Sequence, residues 1–221
     1  MLIKKFTTTL CIKGCNIFSD NSDYLYWESK RVTNDEVDIV NFLNLKHNNE
    51  NLNILHIGIG NSYLASKLNN FKEINGITIS QNEILHASTK NISNYKYFFL
   101  NKYKFDSLDI FKFRRFDVII DTNMKSFSCC DEAFNNLFNQ YVNLLDNNGF
   151  IISHINGINW SRIVRPKLAF SLKKFFYKKL KEYDGPTNNI LNILDCKNLA
   201  HQNNLKFNLI NKNLIIFKNE K

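Results

Sequence analysis

Proline and glycine are scarce in this chain, 2 and 7 among 221 residues. Their scarcity excludes a proline- or glycine-rich linker, so the length points to one sizeable α/β core without a flexible divide. Cysteine occurs five times, but Cys11, Cys15, Cys129, Cys130 and Cys196 form an odd set without CxxC spacing or a nearby histidine. Neither a zinc site nor a disulfide framework follows, and a reducing, cytoplasmic compartment fits such usage. No run comes near the roughly 18 apolar residues that a helical membrane span needs. The opening MLIKKFTTTLCIKGC has a broken apolar stretch and no small-residue cleavage pattern, so no signal peptide is predicted. Internal repeats and low-complexity tails are missing as well.

Acidic residues are also in deficit, 20 against 29 Lys and Arg, for a net charge of +9. A basic balance invites a nucleic-acid or acidic-membrane partner. The chain is equally crowded with Asn, Ile, Phe and Tyr, which A/T-rich codons supply together with Lys, so the charge has an explanation that needs no partner.

What is present is organised around Asn51 to Ala65, NLNILHIGIGNSYLA. Apolar residues at Leu52, Ile54, Leu55, Ile57 and Ile59, broken at Gly58 and Gly60, read as a buried parallel strand that ends in a tight turn before a helix. Such a turn lets a ligand approach the backbone, though two glycines after a strand also serve as plain punctuation in α/β proteins.

Before this stretch, Tyr24, Tyr26, Trp27, Glu28, Lys30 and Arg31 form an aromatic and charged patch. The patch would line a substrate pocket or pack on the domain as a lid. Thr33 with Glu36 three residues later then makes a capping box that starts a helix carrying Val37, Val40, Phe42 and Leu43 inward. After it, strands alternate with helices: Glu73 to Ser80, a helix from QNEILHAS, Lys96 to Leu100, Phe116 to Thr122, a helix over Asp131 to Leu145, and Gly149 to Ile155. Alternation of this kind predicts βαβ units and a parallel sheet, whose ligands bind beyond the carboxyl ends of the strands. Those ends are Gly58 to Asn61, Thr78 to Gln81, Asn101 to Tyr103, Asp121 to Lys125 and His154 to Asn156. Residues 165–183 read as a basic amphipathic helix, either a solvated face or a surface for acidic partners. A short helix near Leu194 to Gln202 and an antiparallel hairpin turning at Asn211 to Asn213 close the chain.

Over about residues 50 to 218 the chain resembles the class I S-adenosylmethionine (SAM) methyltransferases. LHIGIGNSYLA is similar to their first motif, GITIS to the end of their second strand, and FDVIIDTNMKSF with FNNLFNQYVNLLDNNGFIISHI to their fourth motif and fifth strand. The resemblance implies a doubly wound, mostly parallel seven-stranded sheet with a C-terminal antiparallel hairpin, in a three-layer Rossmann-like fold. Residues 1–50 are then an extension and capping helix, and 51–221 a SAM-binding domain. Two positions depart from the family's usual pattern, His56 in the first strand and Thr78 at the end of the second, where acidic residues are common. GITIS is nonetheless similar to the cyclopropane-fatty-acid-synthase branch, in which Thr stands there too.

On that resemblance, His56, Gly58, Gly60 and Asn61 face the methionine part of SAM, Thr78 and Ser80 the ribose, Asn101 the adenine through its amide oxygen, and Asp121 borders the sulfonium. His154 is the candidate general base, imidazole being the side chain most used for that work, and Lys125 would orient or activate the acceptor. Tyr26, Trp27, Lys30 and Arg31 suit a sugar ring or an acidic small molecule. DTNMKSF resembles metal-binding glycan O-methyltransferases, but further acidic ligands are not evident and no metal is expected. The fourth strand lacks the Asn/Asp-Pro-Pro-aromatic motif of amide and adenine N-methyltransferases. The expected activity is methyl transfer to a small molecule or saccharide precursor, with RNA methylation through the 165–183 helix, or a SAM-binding module without catalysis, as alternatives.

Overall fold

The computed structural model describes residues 32–48, 50–69, 71–128, 131–159 and 190–219. The aromatic patch at Tyr24 to Arg31 and the basic segment 165–183 lie outside the described residues.

Helix α1 (Asn34–Lys46) starts where the capping box predicts it: Glu36 accepts from the Thr33 backbone N–H at 3.1 Å and from its hydroxyl at 2.9 Å. Strand β1 (Leu52–Ile57) leads through the glycine turn to α2 (Tyr63–Lys67), and β2 (Phe71–Thr78) to α3 (Gln81–Thr89). Then come β3 (Tyr95–Phe99), a 3-10 helix (Ser107–Phe111), β4 (Phe116–Asp121), α4 (Asp131–Leu144) and β5 (Leu145–His154). One short turn of helix, α5 (Ile155–Ile158), follows β5, and α6 (Ile193–Gln202), β6 (Lys206–Ile210) and β7 (Leu214–Lys218) complete the described chain.

The seven strands form one sheet in the order β3-β2-β1-β4-β5-β7-β6. All pairings from β3 to β5 are parallel, and β7 runs antiparallel to both β5 and β6. The sheet is therefore the mostly parallel, doubly wound one expected, with the hairpin where the sequence places it. Its turn has positive φ at Asn211 (50°) and Lys212 (63°), and Asn213 N–H donates to the Ile210 carbonyl at 3.1 Å. Positive φ at both central residues matches the right-handed twist of the flanking strands.

Strand β5 begins four residues before its expected start at Gly149. Leu145 pairs with Phe116, the register then shifts, and regular pairing resumes at Phe150 opposite Val118. An irregularity of this sort carries no alternating apolar pattern, so only the strand's regular half stands out in the sequence.

Side-chain alternation along the strands builds a core on each face. Leu55, Ile57, Ile119 and Ile151 pack with Leu137, Phe138 and Tyr141 of α4 and Leu199 of α6. Ile54, Ile74, Ile120 and Ile152 pack on the opposite face with Ile39, Val40 and Leu43 of α1 and Ala87 of α3. Helices on both faces make three layers, and α1 belongs to the second core as fully as any later helix.

Candidate active site

Strand register decides which loop tips meet. Ile57 stands opposite Ile77 on one side and Asp121 on the other, and Thr78 opposite Phe99. The ladder runs one step further: Gly58 N–H donates to the Ile77 carbonyl at 2.8 Å and Leu100 N–H to the Thr78 carbonyl at 2.9 Å. Gly58, Thr78, Asn101 and Asp121 thus lie along one carboxyl-end rim, and β5, pairing Ile152 with Ile120, brings His154 to the same edge. The strand order reverses between β1 and β4, the place where open α/β sheets leave a crevice.

At the centre of the rim, Gly58 has φ +76° and Gly60 φ +50°. A Cβ built on Gly58 would meet no atom within 4 Å, so the backbone here borders open space. Asn61 turns inward on its own loop, its amide oxygen accepting from Tyr63 N–H at 3.0 Å. Two residues before the turn, His56 is buried with its Nδ1 unpartnered among the described residues, and burial lowers its pKa to about 4, so the ring is neutral.

At the β2 end the expected ribose residues form a cap. The Thr78 hydroxyl donates to the Glu83 carboxylate at 2.5 Å and accepts from Ser80 N–H at 3.0 Å, and Ser80 Oγ accepts from Glu83 N–H at 3.4 Å. Glu83, on the first turn of α3, thereby brings to the end of β2 the carboxylate that the strand itself lacks. Sequence reading passed over this residue. Its signal was the capping-box spacing Ser80-x-x-Glu83, of which only the Ser80 half forms, because the Glu83 carboxylate turns to the Thr78 hydroxyl instead of the Ser80 N–H. Asn101, just past β3, keeps its amide nitrogen Nδ2 buried and without a partner among the described residues, while its oxygen accepts from Tyr103 N–H at 3.0 Å.

The β4 and β5 ends differ in kind. Asp121, 1% exposed, receives Lys102 Nζ on both oxygens at 2.9 and 2.7 Å, Tyr141 OH at 2.8 Å and Asn123 N–H at 3.2 Å. Lys102 also donates to the Asn123 carbonyl at 3.0 Å, and burial lowers its pKa against the pull of Asp121. Burial, with Asp121 beside it, raises Tyr141 well above the ordinary phenol value. Lys125 is buried, pairs with Asp131 at 2.5 Å and lies 5.4 Å from the Phe134 ring centre.

His154 is 1% exposed, and its Nδ1 accepts from Asn156 N–H at 3.1 Å. That bond puts the ring proton on Nε2, which donates to Asp38 at 3.1 Å. Neither ring nitrogen, as placed, offers a lone pair to a substrate proton. The residue ties β5 to α1, and Asn213 of the hairpin turn shares the same carboxylate at 3.3 Å. Of the residues named from the sequence, the structure therefore brings His56, Gly58, Gly60, Thr78, Ser80, Asn101 and Asp121 to the rim. Lys125 and His154 are close by but turned into ties of their own. Lys102, one of two lysines in the loop after β3, carries no sequence signal for its burial.

No protein-family model matches the chain, and no curated protein matches it in sequence. Solved structures do match. The CurJ carbon methyltransferase superposes with a TM-score of 0.61 at 14% identity, over 85% of this chain and 54% of the other, so the chain spans about half of that protein's length. The N-methyltransferase NodS from Bradyrhizobium japonicum WM9, solved with S-adenosyl-L-homocysteine, gives a TM-score of 0.54 at 14% identity over 91% of this chain and 100% of NodS. An O-methyltransferase family protein from Burkholderia thailandensis gives 0.55 at 10% identity, over 84% and 55% of the two chains. The chain has the class I methyltransferase fold. At such identities the likeness is one of fold, and the strand order β3-β2-β1-β4-β5-β7-β6 is its concrete content. Among the described residues no helix is long and apolar enough to cross a membrane.

Proposed function

We propose that the crevice at the strand tips binds S-adenosyl-L-methionine and that the chain transfers its methyl group to a small-molecule or saccharide-precursor acceptor. The observation that carries this reading is the pair of buried polar atoms at the rim without partners among the described residues, His56 Nδ1, two residues before a glycine that borders open space, and Asn101 Nδ2, just past β3. Unpaired buried polar atoms are rare in folded proteins, and one reason to keep them is a ligand that completes their bonds. The residues present fit an adenosyl sulfonium compound. Gly58, Gly60 and Asn61 allow close backbone approach at the methionine end, His56 adds a neutral ring there, the Thr78–Ser80–Glu83 cap borders the ribose, and Asn101 meets the base.

When bound, the cofactor supplies an electrophilic methyl on sulfur. The chain's own work is to hold the acceptor in line with that carbon and keep water away, and orientation alone is worth about 7–11 kcal/mol. Base catalysis by His154 and acceptor activation by Lys125 are not part of this proposal, because both side chains are held by the partners described above. Acceptor contact by Tyr26, Trp27, Lys30 and Arg31 rests on sequence alone. A second reading, a SAM-binding protein without turnover, draws support from the same paired state of Asp121, Lys125 and His154.

Titration calorimetry with S-adenosyl-L-homocysteine tests the shared part of both readings. Saturable heat is expected, and its absence at millimolar ligand overturns them. Methyl transfer from labelled SAM to a panel of small acceptors then separates enzyme from binding module.

A further inference from the structure

The Asn101 amide carries more information than its position. Which end of an amide is oxygen and which is nitrogen follows from its neighbours. Here the neighbour is Tyr103 N–H, 3.0 Å away, a group that only donates. The atom facing it is therefore the oxygen, and Nδ2 is the atom left buried, with Asn101 7% exposed overall.

The turn holding this amide is anchored at both following residues. Lys102 reaches across to Asp121 and the Asn123 carbonyl, and Tyr103 OH donates to the Met124 carbonyl at 2.8 Å while accepting from Phe127 N–H at 3.3 Å. Loops after β3 and β4 are thus locked together, and the amide cannot turn over without taking an acceptor from Tyr103 N–H. A buried donor left unpaired in this way is costly, and a ligand that presents an acceptor removes the cost.

Resting on the cofactor reading above, we infer that Asn101 recognises the purine as a hydrogen-bond donor, through Nδ2–H to N1 of the base. It does not serve as the acceptor for the exocyclic amine that its amide oxygen suggested from sequence. The polarity has a consequence for specificity. A site that accepts from the 6-amino group is unaffected when N1 is replaced by C–H, because the amine remains. A site that donates to N1 loses its acceptor and binds the 1-deaza base more weakly.

Calorimetry with two ligands and one variant tests this. The unaltered chain should bind S-(1-deazaadenosyl)-L-homocysteine about tenfold or more weaker than S-adenosyl-L-homocysteine, where an amine-reading site binds the two within about threefold. Asn101→Asp is nearly isosteric and keeps an acceptor for Tyr103 N–H while removing the donor. It should weaken S-adenosyl-L-homocysteine about tenfold or more, the equivalent of one hydrogen bond, in a chain that circular dichroism shows to be folded at the titration temperature. Equal binding of the adenosyl and 1-deazaadenosyl ligands, or undiminished adenosyl binding by Asn101→Asp, overturns the donor assignment and leaves the cofactor reading standing. No heat from either ligand with the unaltered chain overturns the cofactor reading and this inference with it.

Discussion

The two halves of the rim answer the same question in opposite ways. On the β4 and β5 side every polar candidate is satisfied within the protein: Asp121 by Lys102, Tyr141 and Asn123, Lys125 by Asp131, and His154 by Asp38 and Asn156. On the β1 and β3 side His56 and Asn101 each keep a buried atom without a partner among the described residues, and Gly58 borders open space. Satisfied buried networks rigidify the fold that contains them, whereas unsatisfied ones weaken it unless a ligand arrives. On the proposed function, one half of the rim serves chiefly stability and the other chiefly binding. Substitutions on the first should mainly change folding and those on the second mainly ligand affinity, with Lys102, which anchors the Asn101 turn, and His56, whose burial depresses its pKa, touching both.

The largest effect belongs to Lys102→Met. It leaves the Asp121 carboxylate buried without its cation, and losing one partner of such a pair costs about 3–5 kcal/mol. Urea denaturation should show that loss, and adding Asp121→Asn should give back part of it. A cost under about 1 kcal/mol would mean that this half is not self-sufficient, contrary to the contrast drawn here.

His56 sets the next effect, on the binding side. Burial holds its pKa at about 4 against 6.5 when exposed, so between those values the unfolded chain binds more protons than the folded one. Stability then rises with pH through this window and is lost as pH falls from 6.5 to 4, by on the order of 3 kcal/mol in full. Denaturation at a series of pH values should show this slope, and His56→Gln should flatten it. A slope that persists in the variant assigns it to another group.

The contrast explains what could be read from sequence. Apolar runs and their alternation with helices located the strands, and parallel pairing alone then dictated that Gly58, Thr78, Asn101 and Asp121 share an edge. The polar groups were less legible, because a side chain's partners are set by tertiary distance. His154 looked like a base from its place at a strand tip, yet its partner Asp38 is 116 residues away on α1. Lys102 looked like any loop lysine until Asp121 came to meet it. Glu83 did leave a local trace, since its spacing from Ser80 marks a helix start, but nothing in that spacing says that its carboxylate reaches Thr78. The Asn101 amide depends on Tyr103 N–H only two residues on, yet which of its atoms is engaged follows from the turn's conformation and not from the residue names.

A pair of glycines, one from each half, gives the finest test. Gly157 follows β5, and a Cβ there would lie 1.9 Å from the Thr122 carbonyl oxygen and 2.6 Å from its carbon. Backbone must shift to admit it, so Gly157→Ala should cost about 1–3 kcal/mol in urea denaturation and leave affinity for S-adenosyl-L-homocysteine within about threefold. Gly58→Ala meets no protein atom and carries only the strain of φ +76°, about 1–2 kcal/mol. Its methyl would project into the space assigned to the ligand. Affinity should therefore fall by more than the strain explains, to the point where heat is no longer measurable. Equal losses of affinity in the two variants would erase the distinction between the halves. A Gly58→Ala chain that binds normally would show that the open space beside this backbone is not where the ligand lies.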